Sequence, residues 1–320
     1  MCMQPIGGSE LSAAQINQIV PRQIRNELNE PRDGPGIAFL VYHFGVMGGT
    51  GYLLILSLGT WWVIPAMLAH GFVLAALFSP FHETAHYSAF KIRWLNESVF
   101  WLTGVATFYM KTTFRIEHMA HHAYTQDVEK DPQRIPMAET FRGYIYYSTA
   151  IPSLKLKLWR LINHPLGRIS ETEKTYIPED RIPELQRDAW IYLAVYAVVF
   201  AASLYFQTWA ALIYWVIPIV VGEPFQRMLR IAEHTGCELD PDMLRNTRTT
   251  QTTPLLRWLN WNMSLHVEHH AISSVPFHAL PRLHEFLAPH LVHQSQGFLS
   301  AQRDVIRFTS DGVRTPATVN

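Results

Sequence analysis

Nine of the sixteen histidines in this 320-residue chain fall into a pattern that chemistry could use. His82-x-x-x-His86, His118-x-x-His121-His122 and His266-x-x-His269-His270 form three clusters, and His234 stands alone between the second and third. Residues at i, i+3 and i+4 of a helix share one face, so each cluster projects two or three imidazoles toward a common point. Neutral imidazole is a good ligand for iron, copper, nickel or zinc. One metal would need only three or four of these nitrogens, so nine suit two metals in adjoining sites. A single histidine of this kind is more often a surface or interfacial side chain. Three clusters with helical spacing do not fit that reading. The other histidines do: His43 and His70 lie in apolar runs and suit a bundle interior, while His164, His278, His284, His290 and His293 lack the spacing and read as surface residues.

Carboxylates stand close by. Glu83, Glu117 and Glu268 each adjoin a candidate ligand, Glu233 precedes His234, and Asp127 and Asp131 follow the second cluster. Metal-bound histidines usually give their other N–H to a carboxylate or carbonyl, which fixes tautomer and orientation. Adjacent residues on a helix point apart, however. These acids are equally open to pairing with a different cluster, with Arg115, or to being solvated charges.

The elements that must position these clusters are apolar. Only 16% of residues are charged, against about 25% in an average globular domain. Residues 37–59 carry no charge, and residues 61–80 continue in the same way. A second pair of runs covers about 189–206 and 209–222. These runs are near the roughly 20 residues that a transmembrane helix needs. The very short turn within each pair predicts an antiparallel helical hairpin. Residues 99–110 are too short to span and read as interfacial or re-entrant.

Buried helices of a soluble protein would be equally apolar, but charge placement argues for a membrane. All 26 Lys and Arg fall in residues 22–32, in residues 91–187, or from Arg227 onward, and neither hairpin turn has one. By the positive-inside rule, both termini and the middle segment are then cytoplasmic, with Trp61, Trp62 and Trp209 at the outer interface. Two cysteines, Cys2 and Cys237, make no disulfide framework, consistent with a reducing, cytosol-facing protein. The polar start (MCMQPIGGSELSAAQ) shows no signal-peptide pattern. Zero net charge gives no support for a nucleic-acid partner. Residues 163–188 are polar and proline-punctuated and read as a surface loop.

With these residues in place, the chain resembles the membrane fatty acid desaturase superfamily, which includes related hydroxylases and ketolases. His82–His86, His118–His122 and His266–His270 match its three histidine boxes in order, spacing and relation to the spans. The segments HETAH followed by FKIRWLNE, HMAHHAYTQDVEKDP, and NMSLHVEHHAISSVPFHALPRLH resemble bacterial members. The resemblance covers roughly residues 40–290. It implies an all-α integral membrane fold, with four transmembrane helices in two hairpins and a cytosolic helical cap holding a dinuclear site. On that reading, residues 1–36 are a cytosolic N-terminal segment, residues 37–308 the membrane domain and residues 309–320 a disordered tail. His234 matches an extra ligand that the family takes from just after the fourth span. The metal ligands implied are thus His82, His86, His118, His121, His122, His234, His266, His269 and His270. There are two departures. The first box has three intervening residues where many acyl desaturases have four. Arg230 stands where some members have a water-linking Asn, with Asn262 a conceivable substitute.

The implied activity is O2-dependent desaturation of a fatty acyl or related lipid chain at a di-iron centre, in a bacterial inner membrane. Unactivated C–H bonds call for activated oxygen on a redox metal, chemistry that the cofactor supplies while the protein positions it. Hydroxylation of a lipid or carotenoid at the same kind of centre is the alternative outcome. The chain has no flavin or dinucleotide fingerprint and no cysteine set for an iron–sulfur centre. A separate ferredoxin-, rubredoxin- or cytochrome-type donor is therefore expected at the cytosolic face. A membrane zinc hydrolase or a metal transporter is the reading from another class. Nine ligands exceed the usual zinc set, and clustering at one face does not resemble a transport path.

Overall fold

Helices dominate the molecule, as the apolar runs and the spacing of the histidines require. The computed structural model describes residues 8–311. Cys2 and residues 312–320 of the expected disordered tail lie outside the described residues, whereas Thr309, Ser310 and Asp311 finish a helix. Two short N-terminal helices, α1 (Gly8–Ile19) and α2 (Arg22–Leu28), lead into α3 (Asp33–Ser57), α4 (Val63–Ala75) and α5 (Phe78–Ala85). The middle of the chain forms α6 (Arg93–Thr107), α7 (Lys111–Tyr124), α8 (Phe141–Ser148), α9 (Ile151–Asn163) and α10 (Glu171–Lys174). Then come α11 (Ile182–Tyr205), α12 (Ile217–His234) and α13 (Met243–Asn246), followed by β1 (Arg248–Gln251), α14 (Pro254–Leu259), α15 (His266–Ala271) and α16 (Leu280–Leu287). The described chain closes with β2 (His293–Gln296) and α17 (Phe298–Asp311). The two strands pair in parallel, Arg248 opposite His293.

Among the described residues, three helices are long and apolar enough to cross a membrane: Asp33–Ser57, Val63–Ala85 (α4 running into α5) and Glu179–Tyr205. The remaining apolar run is also helical. It continues from residue 210 through a π turn at Leu212–Val216 into α12, where Glu223, Arg227, Arg230 and Glu233 follow. This rod therefore passes from an apolar end to a charged end. The first and third candidate spans carry their apolar side chains outward; Val41, Leu53, Val198 and Phe200 are all more than half exposed. Trp61, Trp62 and Trp209 are exposed at the two turns.

Small residues let α4 and α12 approach closely. A Cβ at Gly222 would stand 1.9 Å from the Gly71 carbonyl oxygen, and one at Gly71 would stand 2.4 Å from that of Pro218. Such close crossings are typical of helix pairs in lipid, where packing replaces the hydrophobic drive. His43 and His70 are buried, as the sequence suggested. His43 Nε2 bonds the Val73 carbonyl at 3.0 Å. His70 bonds Thr50 Oγ1 on α3 at 3.0 Å and the Tyr214 carbonyl in the π turn at 3.1 Å. A π turn leaves a carbonyl without its usual helical partner, and His70 takes one up.

Two expectations are corrected. Residues 163–188 are not a simple surface loop: His164 and Glu173 are buried there, and Glu173 bonds both His164 Nε2 (3.1 Å) and Arg160 Nε (2.8 Å). His164 and His293 are accordingly not surface residues, each being about 1% exposed. One apolar core gathers Val20, Leu28, Trp261, Phe277 and Leu283 around Phe39 of α3, so the N-terminal helices pack on the C-terminal region.

Candidate metal centre

All nine histidines singled out by spacing converge, and they do so as two adjoining groups. The ligand nitrogens of His82, His86, His118, His122 and His269 lie within 4.8 Å of one another, as do those of His121, His234, His266 and His270. The His122 and His270 rings, one from each group, stack at 4.2 Å. The helical repeat explains the partition. At 3.6 residues per turn, position i+4 falls about 40° past position i and position i+3 about 60° short of it. The i, i+4 pairs His82/His86, His118/His122 and His266/His270 therefore each serve one group, while His121 and His269 cross to the other.

The nitrogens facing inward are Nε2 atoms. His82 and His269 approach at 3.1 Å, His269 and His122 at 3.1 Å, His122 and His118 at 3.1 Å, and His118 and His86 at 2.8 Å. In the second group His234 and His266 approach at 3.1 Å. Two nitrogens at right angles, each about 2.1 Å from one metal, stand about 3.0 Å apart. The observed separations are those of neighbouring ligands around one ion.

Outer partners fix which nitrogen is bare. His121 Nδ1 donates to Asp131 Oδ1 at 2.8 Å. Thr125 donates its hydroxyl proton to the His121 carbonyl at 2.8 Å, so Thr125 Oγ1 accepts from His270 Nδ1 at 3.1 Å. His270 Nε2 is then a buried lone pair with no partner. His234 Nδ1 reaches the Asn246 carbonyl at 3.3 Å. His118 Nδ1 reaches Gln133 Oε1 at 3.3 Å, and Arg230 donates to the same oxygen at 3.0 Å. Each contact puts the proton on Nδ1 and turns an unprotonated Nε2 inward, the arrangement that metal sites use. Burial first, then the neighbouring imidazoles, hold His118, His122, His266, His269 and His270 well below the usual histidine range. Burial likewise brings His86 and His234 to about 3. The cage is thus neutral and rich in lone pairs, which fits a cation.

The acids divide. Asp131 is buried on a ligand, and although burial pushes its carboxyl up, His121 and two backbone amides hold it below the usual value. Glu83 Oε1 lies 3.7 Å from His269 Nδ1. Glu117 instead pairs with Arg160 at 3.0 Å, and Asp127 accepts from the Glu129 and Lys130 amides. Arg115 pairs with Glu97 at 2.9 Å, not with these acids. Glu268 is buried against Thr249 and against His284, which is therefore no free surface residue. Asn262 faces away from a ligand role, with its amide donating to the Phe277 carbonyl at 3.1 Å. Trp261 and Asn262 both adopt left-handed backbone, φ 51° and 56°, in the turn that delivers α15. Such a conformation costs about 1–2 kcal/mol per residue, and the packing of fully buried Trp261 against Phe39 and Phe277 holds it. Gln133, Thr125 and Asn246 carried no spacing signal and were not foreseen.

Comparison with known proteins gives a consistent result. The fatty acid desaturase family model matches residues 59–299. An sn-1 oleoyl-lipid 12-desaturase of Arthrospira platensis is 23% identical, over 73% of this chain and 71% of its own length. An sn-1 acyl-lipid omega-3 desaturase (ferredoxin) of Nostoc sp. (strain 36) is 22% identical, over 75% of this chain and 72% of its own length. A Delta(9) fatty acid conjugase-like enzyme of Dimorphotheca sinuata is 33% identical, but only over 31% of this chain, which covers about a quarter (24%) of that protein.

Proposed function

The chain belongs to the fatty acid desaturase family and is an integral-membrane oxidoreductase, and on that premise we propose that it desaturates the acyl chains of membrane lipids at a di-iron centre held by the nine histidines. The observation that carries this reading is the convergence of imidazole Nε2 atoms from α5, α7, α12 and α15, with His270 Nε2 buried and unpartnered. The printed names of the cyanobacterial relatives supply the acyl-lipid substrate class. The balanced reaction takes one saturated carbon pair, O2, two electrons and two protons to an alkene and two waters.

Iron bound there would supply the activated oxygen that breaks an unactivated C–H bond. The chain's own residues do the rest. Asp131, Thr125, Gln133 and the Asn246 carbonyl hold His121, His270, His118 and His234 in one tautomer. Phe78, Phe81 and Phe114, packed on one another and on the His82 and His118 rings, keep water from one side of the cage. The Gly71–Gly222 contact sets the spacing of the two rods that carry His82 and His234. Electrons would come from a separate donor, of the ferredoxin type on the analogy of the Nostoc relative, docked at the cytoplasmic face.

The proposed architecture has residues 37–308 as the catalytic unit, four spans in two hairpins, and both termini with the metal centre on the cytoplasmic side. The absence of Lys and Arg from both turns supports it. Single cysteines at residues 60 or 207 should react with an impermeant reagent from outside, and one at residue 180 only after permeabilisation. Lipid mass spectrometry of cells with and without the protein tests the reaction itself. Loss of two hydrogens from an acyl chain is the expected change; gain of one oxygen would instead assign hydroxylation.

A further inference from the structure

The two histidine groups are unequal, five imidazoles in one and four in the other. Both are neutral cages in a buried place. Two divalent ions would bring four positive charges into it, and buried charge must be matched locally. The carboxylates already described mostly face the wrong way for direct matching. Asp131 and Glu83 meet outer Nδ1 atoms, and Glu268 bonds Thr249 and His284.

Glu233 is different. Its Oε2 lies 3.5 Å from Nε2 of His266, the inward nitrogen that also faces His234 Nε2. It therefore stands at the His266 corner of the four-histidine group. Its side chain is 18% exposed, and among the described residues no Lys or Arg forms an ion pair with it. Arg230, one turn earlier on α12, is directed to Gln133 and lies over the Phe78 ring. Glu233 instead borders a cavity of about 20 Å³ that it shares with His266 and with His82 of the other group. That is room for about one water, which needs a cavity of roughly 10–15 Å³ or more. Ser264 Oγ and both side-chain polar atoms of Asn260 line the same cavity, buried and without partners.

We infer that Glu233 supplies the anionic oxygen donor that completes the four-histidine metal site. This rests on the dinuclear reading above. The expected consequence is selective: loss of the Glu233 carboxylate weakens the four-histidine site and leaves the five-histidine site intact.

The test loads purified wild type, Glu233→Ala, Glu233→Gln and Glu233→Asp with cobalt(II) under anaerobic conditions. It reads bound metal by equilibrium dialysis and coordination number by the visible d–d bands. Wild type should take up two cobalts. Glu233→Ala and the isosteric Glu233→Gln should hold one as before and bind the second at least about tenfold more weakly, the scale on which even outer-shell changes act. The bands of the second cobalt should shift toward those of a lower coordination number. Glu233→Asp, which keeps the charge, should recover part of the affinity. If Glu233→Ala misfolds, the Glu233→Gln result decides. Two tightly held cobalts with wild-type bands in Glu233→Gln would overturn the inference while leaving the dinuclear reading intact. Wild type that never binds a second cobalt would instead overturn the dinuclear reading itself.

Discussion

The two ends of this molecule are built on opposite rules. In the first and third spans large apolar side chains face outward, and buried His70 on α4 ties helices together by bonding Thr50 and the Tyr214 carbonyl. Around the histidines the interior is polar: imidazoles, Asp131, Glu268 and Arg160 are buried, and each of these acids and Arg160 has a hydrogen-bond partner. Lipid rewards apolar exterior surface, so the spans need little from side-chain polarity. The metal end must instead hold neutral nitrogens close together in fixed orientation, and outer hydrogen bonds do this for His118, His121, His234 and His270. The first end should therefore tolerate change, and the second should not.

The largest effect is expected at the cage. His121→Ala and His269→Ala each remove the residue that crosses to the other group, and turnover should fall below detection with metal lost. Both proteins should still accumulate in the membrane, because the apolar spans are untouched. His290→Ala, at an exposed position, is the matched control. Wild-type turnover and metal content in both cage variants would remove the distinction between the two ends.

Next in size is the buried cluster behind α7. Arg160 bridges Glu117 and Glu173, all three largely buried. Arg160→Met leaves two carboxylates unmatched and should cost about 3–5 kcal/mol, read from unfolding in detergent. The same cluster predicts an acid response. Burial pushes the Glu173 carboxyl up, but the His164 hydrogen bond and Arg160 outweigh it and leave it at about 2, below its ordinary 4.5. A carboxyl lowered on folding stabilises the protein above its unfolded value. Stability from Glu173 should therefore be lost as pH falls from 4.5 toward 2, and Glu173→Gln should flatten that part of the profile.

Asp131→Asn should have a smaller effect, confined to the metal: affinity about 10–100-fold lower, with the protein otherwise folded. The mildest change is expected in the spans. His70→Leu removes interhelical hydrogen bonds that average only about 0.6 kcal/mol each in membrane proteins, and turnover should persist. Gly222→Ala is the exception that sharpens the contrast. There a single methyl meets the Gly71 backbone, and overpacking of about 1–3 kcal/mol should reach the metal by separating His82 from His234.

Much of this was legible beforehand, for physical reasons. Runs without charge identify spans because lipid tolerates little else, and the i, i+3, i+4 spacing identifies ligands because the helix fixes their face. The assignment to two groups was not legible, since His82 meets His269 across 187 residues. Nor were the outer partners. Gln133 and Asn246 owe their roles to tertiary placement, and Glu117, placed beside a ligand by sequence, pairs with Arg160 because side chains of adjacent helix residues diverge. His164, His284 and His293 were misread as surface residues because burial of a lone polar side chain leaves no periodic trace. The fourth apolar run looked like a simple span. Its π turn and its charged continuation into α12 make it a link between the two ends.

Elemental analysis of the detergent-purified protein tests the central claim most directly, because two histidine groups of this size imply two ions. The account predicts about two irons per chain. A well-folded, fully loaded preparation that never exceeds one metal would contradict it.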